Sequence, residues 1–334
     1  MMAEILHQRV GKYLRIWNAC RIYFKKCFSI LIKCFLYNKG LIKTRAFDIR
    51  CKDGFQINLP SKSCRVVFSI LAENFLHGLS CKDKVFVLQD FVIPIHELIV
   101  SDEDALTAIR YGWRYNTQGK FWIKNNIRFK HMRYAILSVF EYDFYRYINV
   151  LGKTVIDVGA YIGATTIYFA LKGARRIIAI EPHPGAFLEM AENIKLNGLE
   201  DKAILINAGL SAKPGKLCIR DIDIKQTYRT YINPSLSSPC ENEVSVVTLS
   251  EIIEKYNISD AILKMNCEGC EYDVLLNEDP KIFSAFDHLF IGYHHGYEEL
   301  KKILEAAGFK VNILPVRGRH IEEQGFIIAE RRKV

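Results

Sequence analysis

The second half of the chain alternates short apolar runs with helix-like segments, and this alternation constrains the fold more than any other feature. Runs such as VIDV, IIAI and AILKM are each followed by a stretch with helical spacing. Continuous apolar runs are typical of strands that are covered on both faces, as in a parallel sheet between two layers of helices. Residues 151–334 are therefore predicted to form an α/β domain with a doubly wound, Rossmann-like, mostly parallel sheet.

The first 150 residues lack this alternation and are predicted to form two further parts. Residues 1–44 read as a basic, aromatic, helical segment. Residues 45–150 mix strand and helix signals, including a hairpin with its turn at Asp53–Gly54. This α+β region is expected to serve as a substrate lid or an accessory region.

The net charge of +9 is concentrated at the N-terminus. Residues 1–50 contain eleven Lys and Arg but two acidic residues, so this segment carries the whole excess. Within residues 8–37, apolar, aromatic and basic side chains recur at helical steps: Leu14, Trp17, Arg21, Phe24 and Phe28. Such a helix can lie on an anionic membrane surface, pair with another subunit or cap the domain, and all three interpretations stay open.

The ten cysteines are predicted to be thiols, because the N-terminus has no signal-peptide pattern. A reducing, cytoplasmic location is therefore expected, with a peripheral position on the inner membrane surface as the alternative. Cys20, Cys27 and Cys34 recur every seven residues, a spacing that does not enclose a metal and favours buried thiols. The C-x-x-C of Cys267–Cys270 has no second pair, so no metal site is predicted.

A glycine turn at VIDVGAYIGATT, residues 155–166, follows the first strand of the α/β domain. The dinucleotide fingerprint requires glycine at its first, third and sixth positions, but Tyr161 stands at the third. A nicotinamide cofactor is therefore disfavoured. Gly159 and Gly163 are expected to let the backbone approach a ligand and the helix start close to the strand.

Two acidic residues indicate which ligand this turn binds. Asp157 precedes the first glycine, where a carboxylate would repel a pyrophosphate but attract an ammonium or sulfonium group. Glu181 closes the next strand, a position from which an acid accepts hydrogen bonds from ribose hydroxyls. A cationic nucleoside predicts S-adenosylmethionine as the cofactor. Tyr161 is expected to face the sulfonium or to line the substrate entrance.

Four segments resemble the FkbM-type family of class I methyltransferases, including its archaeal members, over about residues 150–312: VIDVGAYIGATT, IAIEPHP, LINAGLSAKPG and LKMNCEGCEYDVL. The resemblance implies a seven-stranded sheet whose last strand is antiparallel, S-adenosylmethionine as cofactor, and methyl transfer to a hydroxyl of a small molecule, glycan or lipid headgroup. It also implies roles by position: Asp157, Gly159 and Gly163 in the first cofactor motif, Glu181 at the ribose, and Asn207 and Ala208 near the adenine.

The last segment resembles the family's K-x-D-x-E-G-x-E sequence, with Asn266 in place of the aspartate. An amide cannot act as a base or offset the sulfonium charge. Lys264 is expected at the sheet edge, where it can pair with an acid. Transfer to an alcohol needs a base, for which Glu268 is the first choice and His294 the second. Alternatively, Glu268 caps the following helix and the histidine is a surface or core residue.

Two competing functions remain open. The basic, aromatic first fifty residues favour a nucleic-acid methyltransferase. Against it, the fourth strand ends in MNCEGC and not in the N-P-P-Y type of loop that holds an exocyclic base nitrogen, so nucleic acid is not expected as a partner. The second competing function is suggested by Asn266: a protein that binds the cofactor or a membrane but has lost catalysis.

The insert at residues 221–243 is expected to shape the acceptor pocket.

Overall fold

The computed structural model describes residues 2–73, 75–219, 224, 240, 242–316 and 318–332. The chain divides into two compact units, an N-terminal unit of residues 1–137 and a C-terminal unit of residues 138–334. The N-terminal unit contains the basic segment and most of the predicted α+β region. The C-terminal unit begins ahead of residue 151, the predicted start of the α/β domain.

The N-terminal unit begins with two helices, α1 (Met2–Tyr23) and α2 (Cys27–Asn38), where one helical segment was expected. The chain turns at Lys26, whose φ of 55° is left-handed and cannot continue a right-handed helix. Cys20, Cys27 and Cys34 are buried free thiols, which confirms their predicted state, although they lie on two helices. In the part of the chain that the structure describes, no helix is both long and apolar enough to span a membrane.

Short antiparallel sheets and helices make up the rest of this unit, as expected for an α+β region. The hairpin is confirmed, since β1 and β2 flank Asp53–Gly54 and pair antiparallel. Strands β3, β4 and β5 form one antiparallel sheet, and β6, β7 and β8 another. The elements are β1 (Ala46–Arg50), β2 (Gln56–Pro60), α3 (Cys64–Ile70), β3 (Leu76–Ser80), β4 (Val85–Leu88), β5 (Val92–Pro94), α4 (Ile95–Ser101), α5 (Glu103–Arg110), β6 (Arg114–Asn116), β7 (Phe121–Lys124), β8 (Ile127–Phe129) and α6 (Tyr134–Phe140), the last at the division between the units.

The C-terminal unit alternates strands and helices, as its apolar pattern predicts. Its elements are β9 (Thr154–Val158), α7 (Ala164–Leu171), β10 (Arg176–Ile180), α8 (Pro184–Leu196), β11 (Ala203–Ile206), β12 (Gly209–Leu210), β13 (Gly215–Cys218), β14 (Glu243–Val247), α9 (Leu249–Tyr256), β15 (Ala261–Met265), α10 (Cys270–Asn277), β16 (Phe286–Tyr293), α11 (Glu298–Ala306), β17 (Phe309–Pro315) and β18 (Gly325–Arg331).

Seven of these strands form one sheet in the order β11-β10-β9-β15-β16-β18-β17. The first five strands of that order pair in parallel, while β18 is antiparallel to both β16 and β17. The predicted doubly wound, seven-stranded sheet with an antiparallel last strand is therefore confirmed. The winding reverses between β9 and β15, so the carboxyl ends of these strands border the crevice where ligands bind in such sheets.

The helices that follow the sheet strands start at defined caps. Helix α7 starts after Gly163, whose φ is 82°. Helix α8 has His183 as its N-cap, with Pro184 at the first helical position. Thr248 and Glu251 form a reciprocal capping box at the start of α9. These caps fix where each loop at the carboxyl edge of the sheet ends.

Candidate functional site

Asp157, near the end of β9, is fully buried and pairs with a lysine of the neighbouring strand. Its Oδ1 lies 2.8 Å from Nζ of Lys264, the residue opposite it in the β9–β15 register. The hydroxyls of Thr165 and Thr166 each donate to its Oδ2 at 2.7 Å. The argument that Asp157 attracts a bound cation is therefore wrong, because the cation beside this carboxylate is the protein's own Lys264.

Lys264 connects this ion pair to the glycine turn. Burial lowers the pKa of Lys264, but its interactions with Asp157, Tyr145 and Glu181 together outweigh burial, so the net pKa is raised. The ammonium group also donates to the carbonyls of Val158 and Gly159, at 3.2 and 2.9 Å. The expected pairing of Lys264 with an acid is borne out, and the Asp157–Lys264 pair holds the start of the turn.

The glycines clear space for other parts of the chain. A Cβ on Gly159, whose φ is 69°, would lie 2.2 Å from the backbone oxygen of Asn266. A Cβ on Gly292 of β16 would lie 2.3 Å from Oδ1 of the same Asn266. A Cβ on Gly163 would lie 3.0 Å from Cγ of Met190 in α8. The turn thus packs closely on the chain after β15 and on α8, while the expected approach of a ligand to Gly159 and Gly163 stays a prediction.

Tyr161 is held in the turn by both its backbone and its hydroxyl group. Its φ of 53° is rare for an aromatic residue and costs roughly 1–3 kcal/mol in general. Its N–H donates to Oε2 of Glu181 at 2.8 Å, and its hydroxyl donates to the carbonyl of Ile224 at 2.7 Å. Ile224 belongs to the insert at residues 221–243, most of which lies outside the described residues.

Glu181 follows β10 and is 6% exposed. Its two carboxylate oxygens accept hydrogen bonds from the backbone N–H groups of Tyr161 and His183, at 2.8 and 2.9 Å. Burial raises the pKa of Glu181 to about 7, although these hydrogen bonds act in the opposite direction. Asn207, after β11, donates from Nδ2 to the Glu181 carbonyl at 2.8 Å, and Ala208 beside it is buried. The structure thus brings Tyr161, Glu181 and Asn207 together.

A second cluster forms around His294, which follows β16. Its Nδ1 lies 2.8 Å from Oε1 of Glu271, and its Nε2 lies 3.4 Å from Oε1 of Glu268. Burial lowers the pKa of His294, but both carboxylates raise it, to about 9 overall. At neutral pH the ring is therefore an imidazolium between two carboxylates. Both predicted base candidates, Glu268 and His294, lie in this cluster.

Sequence reasoning places Glu271 beside Glu268 at this edge of the sheet but gives it no role, and the structure makes it the third member of the cluster. Glu271 is fully buried, whereas the Glu268 side chain is 28% exposed. The signal for Glu271 is its spacing, since it lies three residues after Glu268 at the start of α10. The alternative role of Glu268 as a helix cap is not observed, because Gly269 is the N-cap of α10. Tyr272 supports the cluster by accepting from the N–H groups of His294 and His295.

The chain between Asn266 and α10 is closed into a small ring by a disulfide between Cys267 and Cys270. Glu268 and Gly269 lie inside this ring, and both have positive φ values, of 56° and 119°. Asn266, just ahead of the ring, donates its N–H to the carbonyl of Val158 at 3.1 Å. The ring therefore lies next to the end of β9 and presents Glu268 to His294.

Six of the ten cysteines form disulfides, so the prediction that all are thiols is wrong for these six. The pairs are Cys51–Cys81, Cys218–Cys240 and Cys267–Cys270. Their Cα–Cα distances of 6.3, 5.7 and 5.5 Å are within the range of disulfides. Spacing along the sequence does not reveal such proximity. The expectation of a reducing compartment was based on all ten cysteines being thiols, so the three disulfides remove that support.

Residues 157–311 match the family model of the methyltransferase FkbM domain. Among curated proteins, the chain is 36% identical over 72 residues to a ribosomal protein L11 methyltransferase of a Geobacter species, covering 22% of this chain and 24% of that protein. It is 40% identical over 67 residues to the electron transfer flavoprotein beta subunit lysine methyltransferase of Rattus norvegicus, covering 20% and 26%. The chain thus spans about a quarter of the length of these relatives.

Solved methyltransferase structures are also similar, at low sequence identity. The ribosomal protein L11 methylase of Lactobacillus delbrueckii subsp. bulgaricus has a TM-score of 0.34 and 14% identity, over 59% of this chain and 77% of that one. TrmK of M. capricolum, solved with S-adenosyl-homocysteine, has a TM-score of 0.38 and 10% identity, over 56% and 66%. Because both TM-scores are low, the fold assignment rests on the strand order itself. The family match itself covers residues 157–311, a little under half of the chain, and includes most strands of the seven-stranded sheet.

Proposed function

We propose that the C-terminal unit is an S-adenosylmethionine-dependent methyltransferase that acts on a hydroxyl group. The observation that carries the proposal is the buried Glu181 carboxylate at the end of β10, inside the region that matches the FkbM domain. Its place next to the central strand β9 is the one from which an acid binds ribose hydroxyls in doubly wound sheets.

The residues at this edge are suited to a nucleoside. A carboxylate oxygen has about two acceptor sites, and in Glu181 each oxygen uses one for a backbone N–H. One site on each oxygen is left for the two hydroxyls of a ribose. Asn207 lies at the end of the next strand, beside the predicted adenine loop. With Asp157 paired to Lys264, the only predicted partner for a sulfonium in the turn is the Tyr161 ring.

In the proposed reaction the cofactor supplies an activated methyl group, and the protein aligns the acceptor oxygen with it and excludes water. The acceptor must lose a proton as the new bond forms. We assign the proton acceptor to Glu268, the partly exposed carboxylate of the His294 cluster. His294 is protonated at neutral pH and therefore positions Glu268, with the buried Glu271 holding its other nitrogen.

A second candidate acceptor is a macromolecule. Both curated relatives named above are protein methyltransferases, one of them a lysine methyltransferase. The basic first fifty residues also keep a nucleic acid open as an acceptor, so its predicted exclusion has no support from the comparisons. For a lysine or a nucleic-acid base, Glu268 would accept the proton of a nitrogen and not that of an oxygen.

The cofactor assignment is tested by calorimetric titration of the full chain with S-adenosylmethionine and S-adenosylhomocysteine. Binding of both is expected, and failure to bind either would reject the proposal. The acceptor is then sought by incubation with tritiated cofactor and fractionated cell extract. Label that resists protease and nuclease supports a small-molecule, glycan or lipid hydroxyl. Label that is lost on protease or nuclease treatment replaces the hydroxyl proposal with the macromolecular one.

A further inference from the structure

We propose that the outer surface of helices α1 and α2 binds an anionic membrane, a function separate from methyl transfer. On α2, the side chains of Phe28, Ile32 and Phe35 are 65%, 40% and 56% exposed. Their spacing of four and three residues places them on one face of the helix, which we call the outer face. The inner face of the same helix is also apolar and is buried: Cys27, Ile30 and Cys34. A helix that only packs on a domain has a single apolar stripe, so the outer face needs another partner.

Helix α1 extends this surface. The ring of Trp17 packs edge-on against Phe28, with ring centroids 5.9 Å apart. The guanidinium of Arg21 lies 5.9 Å from the centre of the Trp17 ring. Tryptophan and arginine are typical of the membrane interface, where an apolar body meets charged headgroups.

The sequence that forms α2 and most of α1 carries charge of one sign. Between residues 5 and 47 the sequence has no Asp or Glu and ten basic residues: Arg9, Lys12, Arg15, Arg21, Lys25, Lys26, Lys33, Lys39, Lys43 and Arg45. Lys33 and Lys39 of this set are exposed, and Nζ of Lys39 lies 6.0 Å from the Phe35 ring. Long basic side chains beside an apolar stripe can reach anionic headgroups while the stripe enters the acyl boundary.

Two other partners fit these observations less well. A second copy of the chain, docked through the same surface, would bring two strongly basic segments together and be repelled. A nucleic acid would neutralise the charge, but its interfaces are polar and offer no apolar environment to Phe28, Ile32 and Phe35. An anionic bilayer supplies both negative headgroups and an apolar layer.

The test is co-sedimentation of the full chain with vesicles of phosphatidylcholine, with and without about one third phosphatidylglycerol. Binding is expected to the anionic vesicles, and to weaken with added salt. The variant F28S/I32S/F35S changes only exposed side chains and should lower the partition coefficient about tenfold or more. The matched control is F55S, which changes an exposed phenylalanine in the β1–β2 hairpin of the same unit and should leave binding unchanged.

Tryptophan emission gives a second, local readout. Trp113 and Trp122 are fully buried, whereas Trp17 is partly exposed. Vesicle binding should therefore shift the emission to shorter wavelength, and W17F should remove the shift while sedimentation persists.

Several outcomes would overturn the proposal. One is an absence of vesicle binding, and another is equal binding to neutral vesicles. A third is wild-type vesicle binding by F28S/I32S/F35S. A dimer in sedimentation velocity that this variant dissociates would identify a second copy as the occupant. RNA retention that K33Q/K39Q abolishes, without any vesicle binding, would identify a nucleic acid. None of these readouts depends on methyl transfer.

Discussion

Asp157 and Lys264 face each other on the two central strands, and each is the main charge partner of the other. The pair is buried, so attraction between the charges has to offset the cost of removing both from water. Such pairs add little net stability, but loss of one partner leaves an uncompensated buried charge. The Asp157 carboxylate therefore holds Lys264, which in turn holds the start of the glycine turn through the carbonyls of Val158 and Gly159.

Lys264→Met is expected to lower the free energy of unfolding by about 3–5 kcal/mol, because Asp157 would be left without its counter-charge. The double variant D157N/K264M should recover part of this loss, since it holds no unpaired charge. Urea denaturation measures both. The structural role would be contradicted if D157N abolished S-adenosylmethionine binding while stability stayed unchanged.

Glu181→Gln is expected to weaken S-adenosylmethionine binding about tenfold or more, since a charge-assisted hydrogen bond is worth roughly 1.5–3 kcal/mol. With its pKa raised to about 7, Glu181 gains its charge across neutral pH. Calorimetry should therefore show wild-type affinity increasing as the pH rises through about 7, and no such increase in the variant. The control E254Q changes an exposed acid on α9. Equal affinity of wild type and E181Q would disprove the ribose role.

At the scale of elements, the site depends on how closely the turn after β9 packs against the end of β15. Gly159 and Gly292 contact the backbone and the side chain of Asn266, respectively. Substitution of Asn266 by alanine would remove the side-chain oxygen near Gly292. The same substitution would leave the backbone oxygen near Gly159 in place. This difference makes the packing testable.

Gly292→Ala should destabilise the protein by about 1–3 kcal/mol through overpacking, and Gly159→Ala by more, because its φ of 69° also strains an alanine. Adding Asn266→Ala should restore stability to G292A, whose clash is with the Asn266 side chain. It should not restore G159A, whose clash is with the Asn266 backbone. Thermal unfolding of the four variants decides this, and equal rescue of both would refute the packing argument.

At the scale of the whole molecule, the sheet was predictable because strands buried on both faces carry their pattern in the sequence. Strands β9 and β15 are buried at every position, including Asp157 and Lys264. Glu181, Glu268 and His294 were found because the carboxyl end of each strand can be located from that pattern. Predicting these three positions requires no knowledge of contacts between residues that are far apart in the sequence.

Contacts between residues far apart in the sequence could not be predicted from such local patterns. The pairing of Asp157 with Lys264 depends on which strands are neighbours, and the disulfides depend on distances that spacing does not encode. The break between α1 and α2 occurs at Lys26, a residue type that does not normally mark a left-handed backbone. In each case tertiary structure overrode a local expectation.

The pH dependence of stability follows from two raised pKa values. Glu181 stabilises the fold below its ordinary pKa of 4.5 and loses that contribution as the pH rises through about 7. His294 stabilises the fold below 6.5 and loses its contribution as the pH rises through about 9. Stability should therefore fall with increasing pH across both ranges.

His294→Gln should flatten the part of this decline between pH 6.5 and about 9, which amounts to roughly 3 kcal/mol at most. The control is H295Q, which changes the neighbouring ring outside the Glu268–Glu271 pair. Urea unfolding at several pH values measures the slope. A variant slope equal to that of the wild type would show that His294 does not carry the shift.

The bond between Cys267 and Cys270 closes a four-residue ring around Glu268. Dithiothreitol, which is commonly added during purification, would open that ring and release the backbone that aims this acid at His294. Preparations made with and without the reagent would then contain two chemically different forms of the chain, so a property measured on one could not be assigned to the other.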